Sequence, residues 1–177
     1  MSRILAVLLL LTAVFPWSLA HAQVSPASTE PLRLYGYATA TAIRPELGYG
    51  TGLGGSGGFI LEHSRLVALD FRGVAVGARV PLHTVIAEIG PRFAPRFGRL
   101  QPYAEVLGGI GHSEFKPAAG STGPSKGFGV AFSVDFGLDL RLKHHFEWRV
   151  AEYGYNHIYV GTGVSPTTLN TGLVYRF

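Results

Sequence analysis

Seven histidines are the first residues whose type could carry chemistry. A metal site needs several of them converging. His144 and His145 are adjacent, and on a strand adjacent residues point to opposite faces. His63, His83, His112 and His157 are dispersed near expected turns, and His21 lies in an N-terminal segment treated below. No metal site is expected. His112-Ser113-Glu114 has the residue types of a base, a nucleophile and an orienting acid. Neighbours on a strand face opposite ways, so the three do not converge. Gly50-Thr51-Gly52-Leu53-Gly54-Gly55 matches a dinucleotide-binding fingerprint, with Asp70 downstream. That site requires a helix opening at the glycines. The segment that follows reads as a strand, so these are loop and strand glycines and no cofactor is expected. Without cysteine, a thiolate metal site, a Cys nucleophile and a disulfide scaffold are excluded.

Ten charged residues carry a stronger signal: Asp70, Arg72, Glu88, Arg92, Glu105, Asp135, Asp139, Arg141, Glu147 and Arg149. Each sits on a period-two alternation opposite apolar residues. From 127 to 141, Phe128, Val130, Phe132, Val134, Phe136, Leu138 and Leu140 share one face. Gly129, Ala131, Ser133, Asp135, Gly137, Asp139 and Arg141 share the other. Such alternation marks a strand with two unlike surroundings. It recurs over 66–77, 84–93, 99–110, 145–157 and the segment ending at Phe177. The phase breaks at Ala151-Glu152, where a bulge is expected. Two earlier strands, 32–42 and 53–62, are so rich in Gly and Ala that alternation assigns neither face.

Tight connections are expected at 63–65, 94–98 and 142–144, and longer ones at 43–52, 112–126 and 158–166, with 78–83 intermediate. Tight turns at one end, long connections at the other and an even strand count describe an all-β fold. It is an eight-stranded antiparallel up-and-down barrel with both termini at the tight-turn end. The turn near 142–145 predicts a register in which paired residue numbers sum to about 288. That sum sets Asp139 against Arg149 and Arg141 against Glu147.

Composition identifies the solvent outside. Charged residues make up only 15% of the chain and Gly contributes 24 of 177 positions. An ordinary soluble domain carries about 25% charge and about 7% Gly. The polar face of these strands is built from Gly, Ala and Ser beside a few charges, as a narrow lumen requires. Strands of about 9–11 residues cross a bilayer at a tilt, and a closed barrel satisfies its backbone hydrogen bonds within hydrocarbon. The expectation is a transmembrane barrel with its apolar face outward. Side chains fill the interior of an eight-stranded barrel, so mixed inward charges predict a salt-bridged plug. A small-solute porin and a lipid-modifying enzyme are the alternative readings. The Lys and Arg residues are scattered, with no run that tracks a phosphate backbone, so nucleic acid is not an expected partner.

Arg3, the apolar stretch 4–15 and Ala20-His21-Ala22 have the form of a secretory signal peptide over 1–22, too short to span as a helix. Removing those 22 residues, Arg3 among them, leaves 155 with a formal charge of +3. Residues 23–31 are polar with two prolines and read as a flexible periplasmic linker, which leaves 32–177 for the barrel.

The ending GLVYRF resembles the C-terminal signal of bacterial outer-membrane barrels, with Tyr175 and Phe177 at alternate outward positions. IGPRFAPRFGRLQPYAEVLGGIGH (89–112) and FGLDLRLKHHFEWRVAEYGY (136–155) resemble hairpins of small outer-membrane β-barrel proteins, the OmpA-like or porin-like superfamily. The resemblance implies an outer-membrane location among outer-membrane lipids. It also implies the barrel assembly machinery as the partner that reads Tyr175 and Phe177. It further implies a structural or interaction role through the extracellular loops, chiefly 112–126, without catalysis or cofactor. A monomer is expected, with the loop partner unspecified. With the chain ending at Phe177, no C-terminal peptidoglycan-binding domain is expected. Residues 155–172 also resemble a segment of outer-membrane lipid A deacylases, in which His157 would be the base. Tyr159 stands where that family has its serine, and the sequence offers no evident replacement on the same face.

Overall fold

Alternation places unlike side chains on the two faces of each strand, and closing the sheet separates those faces completely. The computed structural model describes residues 32–44, 51–78, 82–115, 126–159 and 165–177. The expected signal segment 1–22 and linker 23–31 lie outside the described residues. The strands are β1 (Arg33–Arg44), β2 (Gly52–Glu62), β3 (Val67–Ala78) and β4 (Leu82–Phe93), then β5 (Leu100–Phe115), β6 (Lys126–Arg141), β7 (Phe146–Tyr159) and β8 (Thr167–Arg176). Each pairs antiparallel with its sequence neighbours, and β1 pairs with β8 to close the barrel. Closure leaves no unpaired edge.

The two faces separate as their chemistry requires. Along β6, Phe128 and Phe136 are 79% and 58% exposed, while Ser133, Asp135 and Asp139 on the opposite face are buried. The outer surface carries Phe59, Phe71, Ile89, Val106, Tyr153 and Leu173 in the same manner. On β1 and β2, where composition assigned no face, Tyr35, Tyr37, Thr39, Thr41 and Ile43 point inward from β1, and Ser56, Ile60 and Glu62 from β2.

Two sequence expectations are corrected here. Residues 112–115 and 126, expected within a long loop, belong to strands, because the β5–β6 ladder continues through His112↔Phe128, Ser113↔Gly127 and Glu114↔Lys126. The His112 ring also packs on Phe128, with centroids 4.3 Å apart. Residues 116–125 of that loop lie outside the described set. His144 lies in the turn expected at 142–144, and His145, expected to open the next strand, belongs to that turn as well, before Phe146. There His145 Nδ1 lies 2.9 Å from the Arg176 carbonyl. The tight turn over 94–99 closes through mutual Phe97–Leu100 backbone bonds of 2.8 and 3.0 Å. Gly98 takes a left-handed φ of 64° within it, where a side chain would be strained.

The bulge expected at Ala151-Glu152 is present as register shifts at Leu138/Asp139 on the β6 side and between Arg149 and Glu152 on the β8 side. Its consequence is chemical. The irregularity turns both Arg149 and Glu152 into the interior.

Candidate functional site: the charged lumen

The inward positions stack into layers along the barrel. Toward the long connections, Ile43, Val74, Val76, Ile86, Ala131 and Ile158 form one apolar cluster inside the barrel. Toward the tight turns, Tyr35, Tyr37, Ile60, Ala68 and Val174 form another. Charges fill the lumen beyond the first cluster and beside the second, where Arg92 is registered opposite Ala68.

Three arginines organise that middle layer. Arg72 on β3 lies 2.8 Å from Glu88 on β4, 3.5 Å from Glu105 on β5, 2.5 Å from Asp135 on β6 and 3.6 Å from Glu152 on β7. Arg92 reaches Asp139 at 2.5 Å, Glu105 at 3.6 Å and Asp70 at 3.8 Å. Arg149 reaches Glu152 at 2.7 Å and Asp139 at 3.3 Å. All three guanidinium groups are buried. Aromatic faces complete their surroundings, with Arg92 3.5 Å above the Tyr103 ring and Arg149 4.3 Å from that of Tyr37.

Neutral groups satisfy several of the remaining oxygens, as buried charge demands. Tyr37 donates to Asp70 at 2.9 Å, Ser133 to Glu88 at 2.5 Å and Asn170 to Glu152 at 2.6 Å. Tyr103 also donates to Glu152. Six carboxylates (Asp70, Glu88, Glu105, Asp135, Asp139, Glu152) therefore surround three arginines. Glu105 accepts no hydrogen bond at either oxygen.

The predicted residues thus occupy two places. Asp70, Arg72, Glu88, Arg92, Glu105, Asp135, Asp139 and Arg149 come together in the sealed layer. Arg141 and Glu147 pair at 3.6 Å nearer the rim, where the Arg141 side chain is 36% exposed. The register sets Asp139 opposite Arg149 and Arg141 opposite Glu147, the pairs given by a sum of 288. Tyr175 and Phe177 lie on the outer face at the tight-turn end, their rings edge-on at 5.1 Å.

Sequence reasoning missed a second cluster at that rim. Tyr35 donates to Glu62 at 2.6 Å, and Arg96 donates to both, at 2.7 and 2.6 Å. Tyr35 and Glu62 sit on the Gly- and Ala-rich strands, and Arg96 sits in a turn, so no alternation marked them. Glu152 was hidden by the bulge.

The arrangement is suited to filling space. A cavity of about 20 Å³, lined by Tyr35, Glu62, Arg92, Asp139 and Glu147 among others, has room for roughly one water molecule. Among the described residues no group of three His, Asp or Glu is placed to hold a metal ion. Gly52, Gly54 and Gly55 lie on β2, where no helix opens. Ser113 points inward to Thr84 at 3.1 Å, away from His112. His157 does meet a hydroxyl that sequence reasoning overlooked, Ser165 Oγ, 2.6 Å from its Nδ1. The two are eight positions apart across a connection, so strand periodicity could not pair them.

No protein-family model matches the chain, and no curated protein matches it. Solved structures do. Neisserial surface protein A superposes with a TM-score of 0.65 at 14% identity, covering 82% of this chain and 97% of that one. The attachment invasion locus protein Ail of Yersinia pestis gives 0.51 at 16% identity, over 82% and 97%. The N-terminal β-barrel domain of Pseudomonas aeruginosa OprF gives 0.51 at 18%, over 83% and 100%. Closed eight-strand topology, outward apolar residues and these likenesses agree on one architecture: the chain has the fold of the small outer-membrane β-barrels.

Proposed function

We propose that this chain resides in a bacterial outer membrane as a non-conducting, non-catalytic barrel. It holds its long connections at the cell surface for a structural or interaction role. The observation that carries the reading is the charged layer, in which Arg72, Arg92 and Arg149 are buried inside the barrel, with an apolar cluster filling the lumen toward the long connections. Buried charge and aromatic side chains packed inside the described barrel disfavour the porin alternative. An apolar exterior beside a filled interior makes a rigid mount, and the chemistry left to vary is that of the loops. On this reading the tight-turn end is periplasmic, and Tyr175 with Phe177 forms the assembly signal.

Planar-bilayer recording tests the sealed lumen. The purified barrel, verified as folded by its heat-dependent gel mobility, is expected to give no stepwise currents. Regular open-channel steps would overturn the plug and restore the porin reading. Fractionation of cell envelopes tests the location separately.

One observation favours the second alternative, a lipid-modifying enzyme: the 2.6 Å contact between His157 and Ser165. A nucleophile and a base in contact are two parts of an acyl-transfer site. Among the described residues no carboxylate bonds the imidazole to orient it. Release of fatty acid from phospholipid vesicles, abolished by Ser165→Ala, would establish this reading over the first.

A further inference from the structure

The chain's positive charge is concentrated where the lumen does not use it. The layer's three arginines and six carboxylates carry a formal −3, so with a chain total of +4 the residues outside that layer carry +7. Topology then gathers residues that are scattered in sequence. The turn over 94–99 is joined to the next at the tight-turn end by the Arg141 amide donating to the Arg99 carbonyl at 2.8 Å. That turn is joined to the end of β8 by the Arg176 amide donating to the His145 carbonyl at 2.8 Å. Arg99, Lys143, His144 and His145 therefore belong to one continuous arc of the rim, with Arg176 at its end on the lumen side, opposite Tyr35.

Arg99 and Lys143 are exposed and Arg176 is half-buried. None of the three pairs with a carboxylate among the described residues. Glu147, which follows the turn, is buried and engages Arg141. Hydrocarbon borders the same arc. Phe97, Leu142, Phe146 and Phe177 are 65%, 50%, 47% and 67% exposed. Tyr175 bridges the aromatic group, with ring centroids 5.2 Å from Phe146 and 5.1 Å from Phe177.

We propose that this arc binds the headgroups of anionic phospholipids in the leaflet at the tight-turn end. An anionic lipid presents a phosphate at the level of the cations and acyl chains at the level of the aromatic side chains. A soluble polyanion would match the charges and leave the apolar border unused. A basic side chain near a membrane surface contributes about 1 kcal/mol with anionic lipid, so one such contact favours a charged lipid over a neutral one about five-fold. The proposal rests on the membrane reading above.

Trp148 supplies the reporter. It is 41% exposed on the outer face, two residues from Phe146. The full chain carrying Trp17→Phe is inserted into phosphatidylethanolamine vesicles containing brominated phosphatidylglycerol or brominated phosphatidylethanolamine at equal mole fraction. Brominated phosphatidylglycerol is expected to quench Trp148 about five-fold more effectively at low mole fraction. In the triple variant Arg99→Gln, Lys143→Gln, Arg176→Gln the ratio is expected to fall toward one, as it should for wild type in high salt. Equal quenching by both lipids in wild type overturns the proposal, as does a preference unchanged in the triple variant. Binding of inorganic polyphosphate in detergent, lost in the triple variant and without any lipid preference, would assign the arc to a soluble polyanion and also overturn it. Absence of quenching by either lipid is a different result, and it would refute the membrane reading itself.

Discussion

Arg72→Met removes one buried charge and keeps much of the side-chain volume. Arg72 contacts four carboxylates, two of them at 2.5 and 2.8 Å and two at 3.5 and 3.6 Å. Removing one partner of a buried ion pair costs about 3–5 kcal/mol, because the other charge stays desolvated. With four carboxylates depending on it, the loss is expected at the upper end, about 5 kcal/mol, set against a total stability of about 5–15 kcal/mol. Adding Asp135→Asn to Arg72→Met removes one stranded charge and is expected to restore about 2 kcal/mol, a coupling usual for residues in contact. The assay is urea-titrated folding into phospholipid vesicles, followed by Trp148 fluorescence and heat-dependent gel mobility. A loss below about 1 kcal/mol would match a hydrated, screened network, and the argument for a sealed plug would fail.

Four further perturbations address separate parts of the barrel. Phe132→Arg, on the outward face of β6, is expected to cost about 2–4 kcal/mol in the same folding assay; unchanged stability would reverse the assignment of inside and outside. Deleting Phe177, whose amide donates to the Leu34 carbonyl at 3.2 Å, should lower the heat-modifiable fraction in cell envelopes without reducing export. An equal fraction with and without it argues against an assembly signal. The Tyr103 ring occupies the space a side chain at Gly137 would need, so Gly137→Val should cost about 1–3 kcal/mol and weaken the near-ultraviolet circular dichroism. Glu105→Gln should change stability by less than about 1 kcal/mol, because the layer has carboxylates in excess and Glu105 accepts no hydrogen bond. A loss comparable with that of Arg72→Met would show that its long arginine contacts hold the layer together.

Alternation made β3 to β6 legible with their faces, since Phe128 to Arg141 allows only one phase without burying charge in hydrocarbon. It also made the Asp139–Arg149 register legible, because a tight turn fixes which residues meet. Three kinds of position were not legible, each for a physical reason. On β1 and β2, Ala38, Ala40, Gly55 and Gly57 are small enough for either surface, so Tyr35, Tyr37 and Glu62 carried no phase. At the β7 irregularity the inward position shifts by one residue, and Glu152 fell on the wrong side of the alternation. Contacts made across connections, Arg96 with Glu62 and His157 with Ser165, depend on closure that no local period encodes.

Buried ion pairs are weak evidence for stability, since desolvation offsets much of their attraction; what this set supplies is register and closure. Arg72 alone ties β3 to β4, β5, β6 and β7 across the lumen. Arg92 adds the β4–β6 contact. Arg149 places its charge near Tyr37 on β1, and Asn170 brings β8 to Glu152. A slip of β6 by one residue would carry Asp135 and Asp139 outward and Phe132 and Phe136 inward. The charges would then lose Arg72, Arg92 and Arg149 together, and the rings would enter a lumen already filled by Tyr103, Leu107 and Tyr37. Each strand's placement is therefore checked by partners on several others. The outer face offers no such check, because one exposed apolar side chain there replaces another without losing a specific partner.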